Sequence, residues 1–388
     1  MFTESCILLY SRSQFTSPKA SNMNARRNIT IQSALTPSFY FSKCLGLFPT
    51  LKNLKNMGRS KYGYIYCFSL YSLLFVTFWY TIIPTSIYTL DSVKIPPVDE
   101  YVFIFHTWFQ IFIVSLIIVS SFVCEMKIKD LISYFNHIGD KFRSISIQIP
   151  YNLLYFVSLA MTFHGIFGIG CTAILFIYLR FPNTNNAMTV FSYLCKNIYF
   201  LISKLILYQS LNQLMLAVLL IRNCFIIINK DLKSLLEREN FIYLEKPQAK
   251  TYLDGIQYSR RWFLSSGKPI DGSSESLLHR IRVLQQIHFS LCDITRSVNS
   301  VFSVPGLLNI ATMFSDVLIK VYTSLVSSVR NTRSHTYIWT MTYWTTLEIA
   351  RILILAIICT RTVEEVSKFS NMSYKIMHIN VGINCTIY

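Results

Sequence analysis

The apolar residues of this chain fall in long blocks rather than alternating with polar ones. Residues 63–90 contain no charged side chain, and neither do residues 101–124. A run of about 20 apolar residues at 1.5 Å rise per residue crosses the roughly 30 Å hydrocarbon core of a bilayer. Further blocks cover 151–179, 189–228, 302–329 and 337–360. The pattern predicts an all-α, polytopic transmembrane bundle of about six spans.

The polar stretches have their own pattern. Residues 1–62 are basic and broken by Pro18, Pro37, Pro49 and Gly58, which predicts a cytoplasmic N-terminal arm. Near its end Ser38–Leu51 is amphipathic and is expected on the membrane surface. Spans one to four occupy 63–228. No Pro or Gly lies between Pro182 and Pro247, so the fourth helix is expected to run on past the lipid into a cytosolic extension. Residues 229–301 read as a cytosolic helical segment with a flexible loop at 247–276, where Pro247, Gly255 and SSGKPIDGSSES cluster. Leu277, Ile281, Leu284, His288, Leu291, Ile294, Val298 and Val301 then form a heptad-like stripe. Such a stripe needs a covering helix, and the tail of the fourth span is the expected one. Spans five and six occupy 302–360, and 361–388 is expected to be a cytoplasmic tail.

Composition supports lipid as the solvent: 52% of residues are hydrophobic and 14% charged, against about a quarter charged in soluble domains. The net charge is +17. Its distribution decides what it means. The arm, the 125–144 stretch, the 222–296 segment and the tail hold 28 Lys and Arg; the opposite side holds Lys94, Arg180, Arg330 and Arg333. The positive-inside rule then puts the N-terminus in the cytoplasm and the basic loops against anionic lipid, with no nucleic-acid partner. Asn28, Asn371 and Asn384 open glycosylation sequons, but all fall on the cytoplasmic side, where no glycan is added.

Enzymatic motifs are missing. The ten cysteines contain no C-x-x-C pair, so neither a redox nor a zinc motif is expected. GIFGIG at 165–170 lacks the preceding strand of a nucleotide loop and reads as close helix packing. No cofactor and no catalytic residue are expected.

Four features together resemble one family, the insect gustatory receptors of the insect chemoreceptor superfamily. They are SFYFSKCLGLFP before the first span, the inverted topology, the long segment between spans four and five, and LLHRIRVLQQIHFSLCDITRSVNSVFSVPGLL. The last is similar to the family's His-x-x-Leu-x-Asp then Val-Asn-x-x-Phe pattern, here His288, Leu291, Asp293, Val298, Asn299 and Phe302. The resemblance covers roughly 35–370. It implies a seventh helix ending in a TYxxxxxQF-type motif, to which residues 361–388 have no similar counterpart. It also implies a ligand-gated nonselective cation channel detecting small-molecule tastants. Such a channel would work as a homo- or hetero-tetramer in the plasma membrane of a sensory-neuron dendrite. Leu284, His288, Leu291, Asp293 and Asn299 would then belong to a cytosolic anchor where subunits meet. A secondary transporter and a G-protein-coupled-type receptor are the alternatives. The inverted topology opposes the second, and the lack of an internal repeat opposes the first.

Ionisable residues inside a membrane mark function by default. Asp316 and Lys320, four apart, are expected to pair along one helix, and Glu348 and Arg351, three apart, likewise. The expected ligand-facing residues are His106, Gln110, Tyr199, Tyr322, Tyr343, Trp344 and Glu348. The same aromatic groups also suit an interfacial belt, and the sequence leaves both readings open.

Overall fold

Within lipid a backbone must satisfy its own hydrogen bonds, so each apolar block becomes a helix. The computed structural model describes residues 31–48, 61–92, 97–180, 187–244, 272–330 and 335–385. Among these it forms α1 (Ile31–Cys44), α2 (Lys61–Ser92), α3 (Pro97–Val123), α4 (Glu125–Ser144), α5 (Tyr151–Arg180), α6 (Ala187–Leu244), α7 (Gly272–Arg330) and α8 (His335–Cys385). Among the described residues three helical stretches are long and apolar enough to cross a membrane: Tyr151–Cys171, Leu201–Leu235 and His279–Val326. A fourth is added if Trp108–Val123 and Glu125–Ser144, on either side of a bent break, form one span. Tyr62–Val76 is apolar but shorter. The apolar part of α8 is diluted by Glu348, Arg351 and several threonines. The protein is an all-helical membrane bundle.

Three expectations change. The charged stretch after the second block is not a loop but helix α4. Its Ile128, Leu131, Ile132, Phe135, Ile138 and Phe142 recur every three to four residues and are all buried, which is the amphipathic signature that its charges obscure. Helix α7 begins at Gly272, inside the range expected as loop; residues 245–271 lie outside the described set. Helix α8 continues from the apolar block through the polar residues to Cys385, where a tail was expected.

The chain divides into two units, Met1–Phe122 with Pro150–Gln213, and Val123–Ile149 with Leu214–Tyr388. In the first, α1 packs along α5. Its Ser38 and Ser42 are buried with Phe39, and Gln209 on α6 donates to Ser38 Oγ at 2.8 Å and Ser42 Oγ at 2.7 Å. The amphipathic pattern was correct, but its polar stripe faces protein. α1 ends on Gly46, whose φ of 74° is left-handed; Leu47 N–H then reaches back to Ser42 C=O at 3.0 Å. That is a Schellman-type stop, which glycine adopts without strain. Tyr66 on α2 donates to the free Cys44 carbonyl at 2.5 Å.

The GIFGIG segment does allow a close approach, at one position. A Cβ on Gly165 would overlap the ring of Tyr208, whose hydroxyl lies 2.8 Å from His164 Nδ1 and donates to Met161 C=O at 3.2 Å. A Cβ on Gly168 or Gly170 would meet no atom within 4 Å. Gly165→Ala is expected to destabilise the full chain by about 1–3 kcal/mol, the cost of overpacking. Thermal melting in detergent checks this. Gly168→Ala is the matched control and should leave the midpoint near wild type.

In the second unit α7 is the central helix, packed by α4 and α8. Its core is the heptad-like stripe: Leu284, Ile287 and Leu291 are fully buried, and Ile294, Val298 and Val301 nearly so. Pro305 lies inside α7 without ending it, and Asn309 Nδ2 donates to the Pro305 carbonyl at 2.9 Å.

Candidate functional site

The ionisable residues of α7 and α8 meet. Asp316 and Lys320 sit one turn apart on α7, with Lys320 Nζ 3.9 Å from Asp316 Oδ2. The same ammonium lies 2.5 Å from Glu348 Oε1 on α8. Side-chain exposures of 3%, 19% and 8% for Asp316, Lys320 and Glu348 place all three inside the packing. Glu348 was expected to pair with Arg351 along its own helix. Instead it crosses to α7, so the bridge holds two helices together.

The arrangement leaves polar atoms over. Glu348 Oε2 is buried with no hydrogen-bond partner, and so is Trp344 Nε1. Positions 344 and 348 are one turn apart and share a helix face. Buried polar groups are normally satisfied, so an acceptor and a donor left open on one helix face mark a candidate site.

The other expected residues distribute as follows. In this second unit Tyr322 is 37% exposed and Tyr343 is 59% exposed. Tyr343 stands edge-on to Trp344 with ring centroids 5.8 Å apart. The structure thus brings Trp344 and Glu348 together with Lys320 and Asp316, while Tyr322 and Tyr343 show more of their surface. In the first unit His106 is half-buried and Gln110 is only 3% exposed. Gln110 Nε2 is buried without a partner. The side chain of Tyr199 lies outside the described residues. Lys320 and Asp316 were not among the expected ligand-facing residues, although their charge at membrane depth marked them as candidates for function as well as for an internal pair.

The expected anchor residues divide by burial. Leu284 and Leu291 are core. His288 stacks on Phe369 of α8 with ring centroids 3.8 Å apart and planes within 12°, and meets Phe225 of α6 edge-on at 5.6 Å. Asp293 and Asn299 are exposed. Asp293 pairs with Arg296, one turn on, at 2.9 Å. The tail of α6 does help to cover α7, through Arg280 in a two-point contact to Asp231 at 2.6 and 3.0 Å. It shares that task with α4 and with the polar part of α8, which sequence had assigned to a tail. There Asn229 Nδ2 donates to the carbonyl and to Oε2 of Glu365, both at 2.9 Å. Burial works against ionisation of Glu365. Hydrogen bonds from Lys368 and Asn229, with the charges of Lys368 and Arg222, outweigh it and hold the carboxyl below its ordinary range.

Among the described residues no group of His, Cys, Asp and Glu is placed to hold a metal ion. The 7tm Chemosensory receptor family model matches residues 35–384 of the chain. No curated protein matches the sequence.

Proposed function

This chain belongs to the 7tm chemosensory receptor family, with the match running from residue 35 to residue 384, and from that premise we propose that it is a gustatory receptor subunit forming a ligand-gated, nonselective cation channel. It acts as a homo- or hetero-tetramer in the plasma membrane of a sensory neuron. It crosses the membrane about six times within this sequence, and its N-terminus faces the cytoplasm. Small-molecule tastants bind among the α7 and α8 residues Tyr322, Tyr343, Trp344 and Glu348. Catalysis has no part in this reading.

The observation that carries the proposal is the buried Lys320–Glu348 bridge between α7 and α8, beside an unsatisfied indole N–H and carboxylate oxygen. A soluble-ligand site needs a few aimed polar groups within an apolar wall, and ligand contacts there have direct access to the bridge joining two helices. A ligand shifts a conformational equilibrium only by its differential affinity for the two states. A group that binds Glu348 differently when the bridge is made or broken supplies that difference.

Whole-cell recording from cells expressing the full chain, alone and with other gustatory subunits, tests the reading. A tastant panel should evoke a cation current reversing near zero potential, absent from untransfected cells. Substrate accumulation without current, or a response abolished by blocking G proteins, would replace it with a transporter or a G-protein-coupled receptor.

A further inference from the structure

We infer that His288 makes the packing of α6, α7 and α8 proton-sensitive: the neutral imidazole closes it and the imidazolium loosens it. The inference goes beyond the receptor reading and does not depend on it, because it concerns how three helices hold together. The stretch of α7 that is long enough to span, His279–Val326, runs to 48 residues. At 1.5 Å per residue it is more than twice as long as the roughly 30 Å hydrocarbon core is thick. Its first part carries Arg280, Arg282, Asp293 and Arg296. That part, with half-buried His288 in it, therefore lies outside the lipid, within reach of water and its protons.

The imidazole sits among aromatic rings from three helices. Phe369 of α8 covers one face, with centroids 3.8 Å apart. Phe225 of α6 and Phe289 of α7 stand edge-on at 5.6 and 5.9 Å. Phe225 is fully buried and Phe369 nearly so. Among the described residues the hydrogen-bonding neighbour of the ring is Cys292 Sγ, 3.9 Å from both nitrogens, and a thiol is a weak partner. A neutral ring has one N–H donor; an imidazolium has two, and a charge. Burial therefore holds the imidazole below its ordinary range. A cation–π contact with Phe369 returns part of that cost, but it supplies no acceptor.

The acidic groups on the packed helices are engaged elsewhere. On α8 Glu365 binds Lys368 at 2.6 Å through one oxygen and Asn229 of α6 at 2.9 Å through the other, and Glu364 pairs with Arg361. On α6 Asp231 takes Arg280 of α7 at 2.6 Å, and Arg222, one turn before Phe225, adds positive charge near Glu365. On α4 Lys141 donates to Ser290 at 3.3 Å, while Asp140 pairs with Arg143. On α7 itself Asp293 pairs with Arg296. An imidazolium draws on none of these carboxylates without weakening a bond already made. The folded state thus binds the His288 proton less readily than the unfolded one. The stability this site contributes is complete above the ordinary histidine value of about 6.5 and is lost as pH falls through it.

The test is thermal unfolding of the purified full chain in detergent, wild type against His288→Phe, at about pH 7.5 and about pH 5.5, on either side of the histidine range. The variant keeps an aromatic ring and takes up no proton. Other groups titrate in both proteins, so the difference between them isolates His288. On going to the lower pH, wild type should lose about 2 °C or more of midpoint beyond what the variant loses. His288→Asn serves if His288→Phe does not fold. Hydrogen exchange, corrected for its intrinsic pH dependence, supplies a local readout. Protection of 284–301 should fall severalfold in wild type at the lower pH, while 31–48 in the first unit keeps its protection. An equal midpoint loss in wild type and variant overturns the inference, as does unchanged protection of 284–301. If neither variant folds, the exchange comparison between the two segments decides alone.

Discussion

Lys320→Met is expected to destabilise the protein by about 3–5 kcal/mol, the usual penalty for removing one partner of a buried ion pair. The methionine fills much of the lysine volume, so packing changes little and the loss is electrostatic. In its absence the Glu348 carboxylate keeps its burial and loses the ammonium 2.5 Å away, and Asp316 loses the one at 3.9 Å. An unpaired buried charge is the costly outcome. An apolar or neutral pair of similar shape is much less so. The double variant Lys320→Met with Glu348→Gln should therefore recover most of the stability lost by the single one, a coupling that distant sites do not show. Thermal unfolding of the full chain in detergent, wild type against both variants, measures it. If the single variant melts with the wild type, the bridge between α7 and α8 is not holding them.

Phe369→Ala is expected to have an effect of similar size, about 3–5 kcal/mol, because a buried aromatic ring is lost and a cavity remains. Phe369 is 3% exposed. Its ring lies flat on His288 at 3.8 Å, while Phe225 closes the histidine edge-on. Truncating it opens a wet path to an imidazole whose neighbours are the buried stripe of α7. The readout is again thermal midpoint, supplemented by hydrogen exchange at 284–301. Exchange there should rise in the variant and stay unchanged in the 31–48 segment of the first unit. Phe369→Leu should retain roughly half the stability, since it keeps most of the apolar volume without the stack. A wild-type midpoint for Phe369→Ala would mean that the polar part of α8 packs on nothing of consequence.

The second prediction falls in a region that sequence misread, and the reason is physical. Residues after Arg361 are too polar for a span, so hydropathy alone assigns them to a tail. Yet TRTVEEVSKFSNMSY is built from helix-compatible residues, with Thr362 and Phe369, two turns apart, turned inward. The same holds for α4. Its charges argued for a loop, while its Ile, Leu and Phe spacing specified a helix with one buried face. In both places the periodic signal lay under a composition signal, and periodicity was the better guide.

What the sequence determined by itself was the material of the fold. Uncharged blocks in a chain with few charged residues can only be helices in lipid, because no water is there to satisfy an open backbone. The buried stripe of α7 was legible at Leu284, Leu291, Ile294, Val298 and Val301, but not at fully buried Ile287; Ile281 and His288 are half-buried, and the side chain of Leu277 lies outside the described residues. The family was legible too, since its motifs are strings of local residues. Only the tertiary structure decided which charges meet. Glu348 has Arg351 three positions away on its own helix, and local spacing favours that pair. The buried face of α8 instead turns Glu348 toward Lys320, 28 residues earlier in the chain. Spacing along one helix fixes which side chains share a face. Which face is buried, and against which neighbour, depends on how helices distant in sequence pack together, and no window along the chain contains that information.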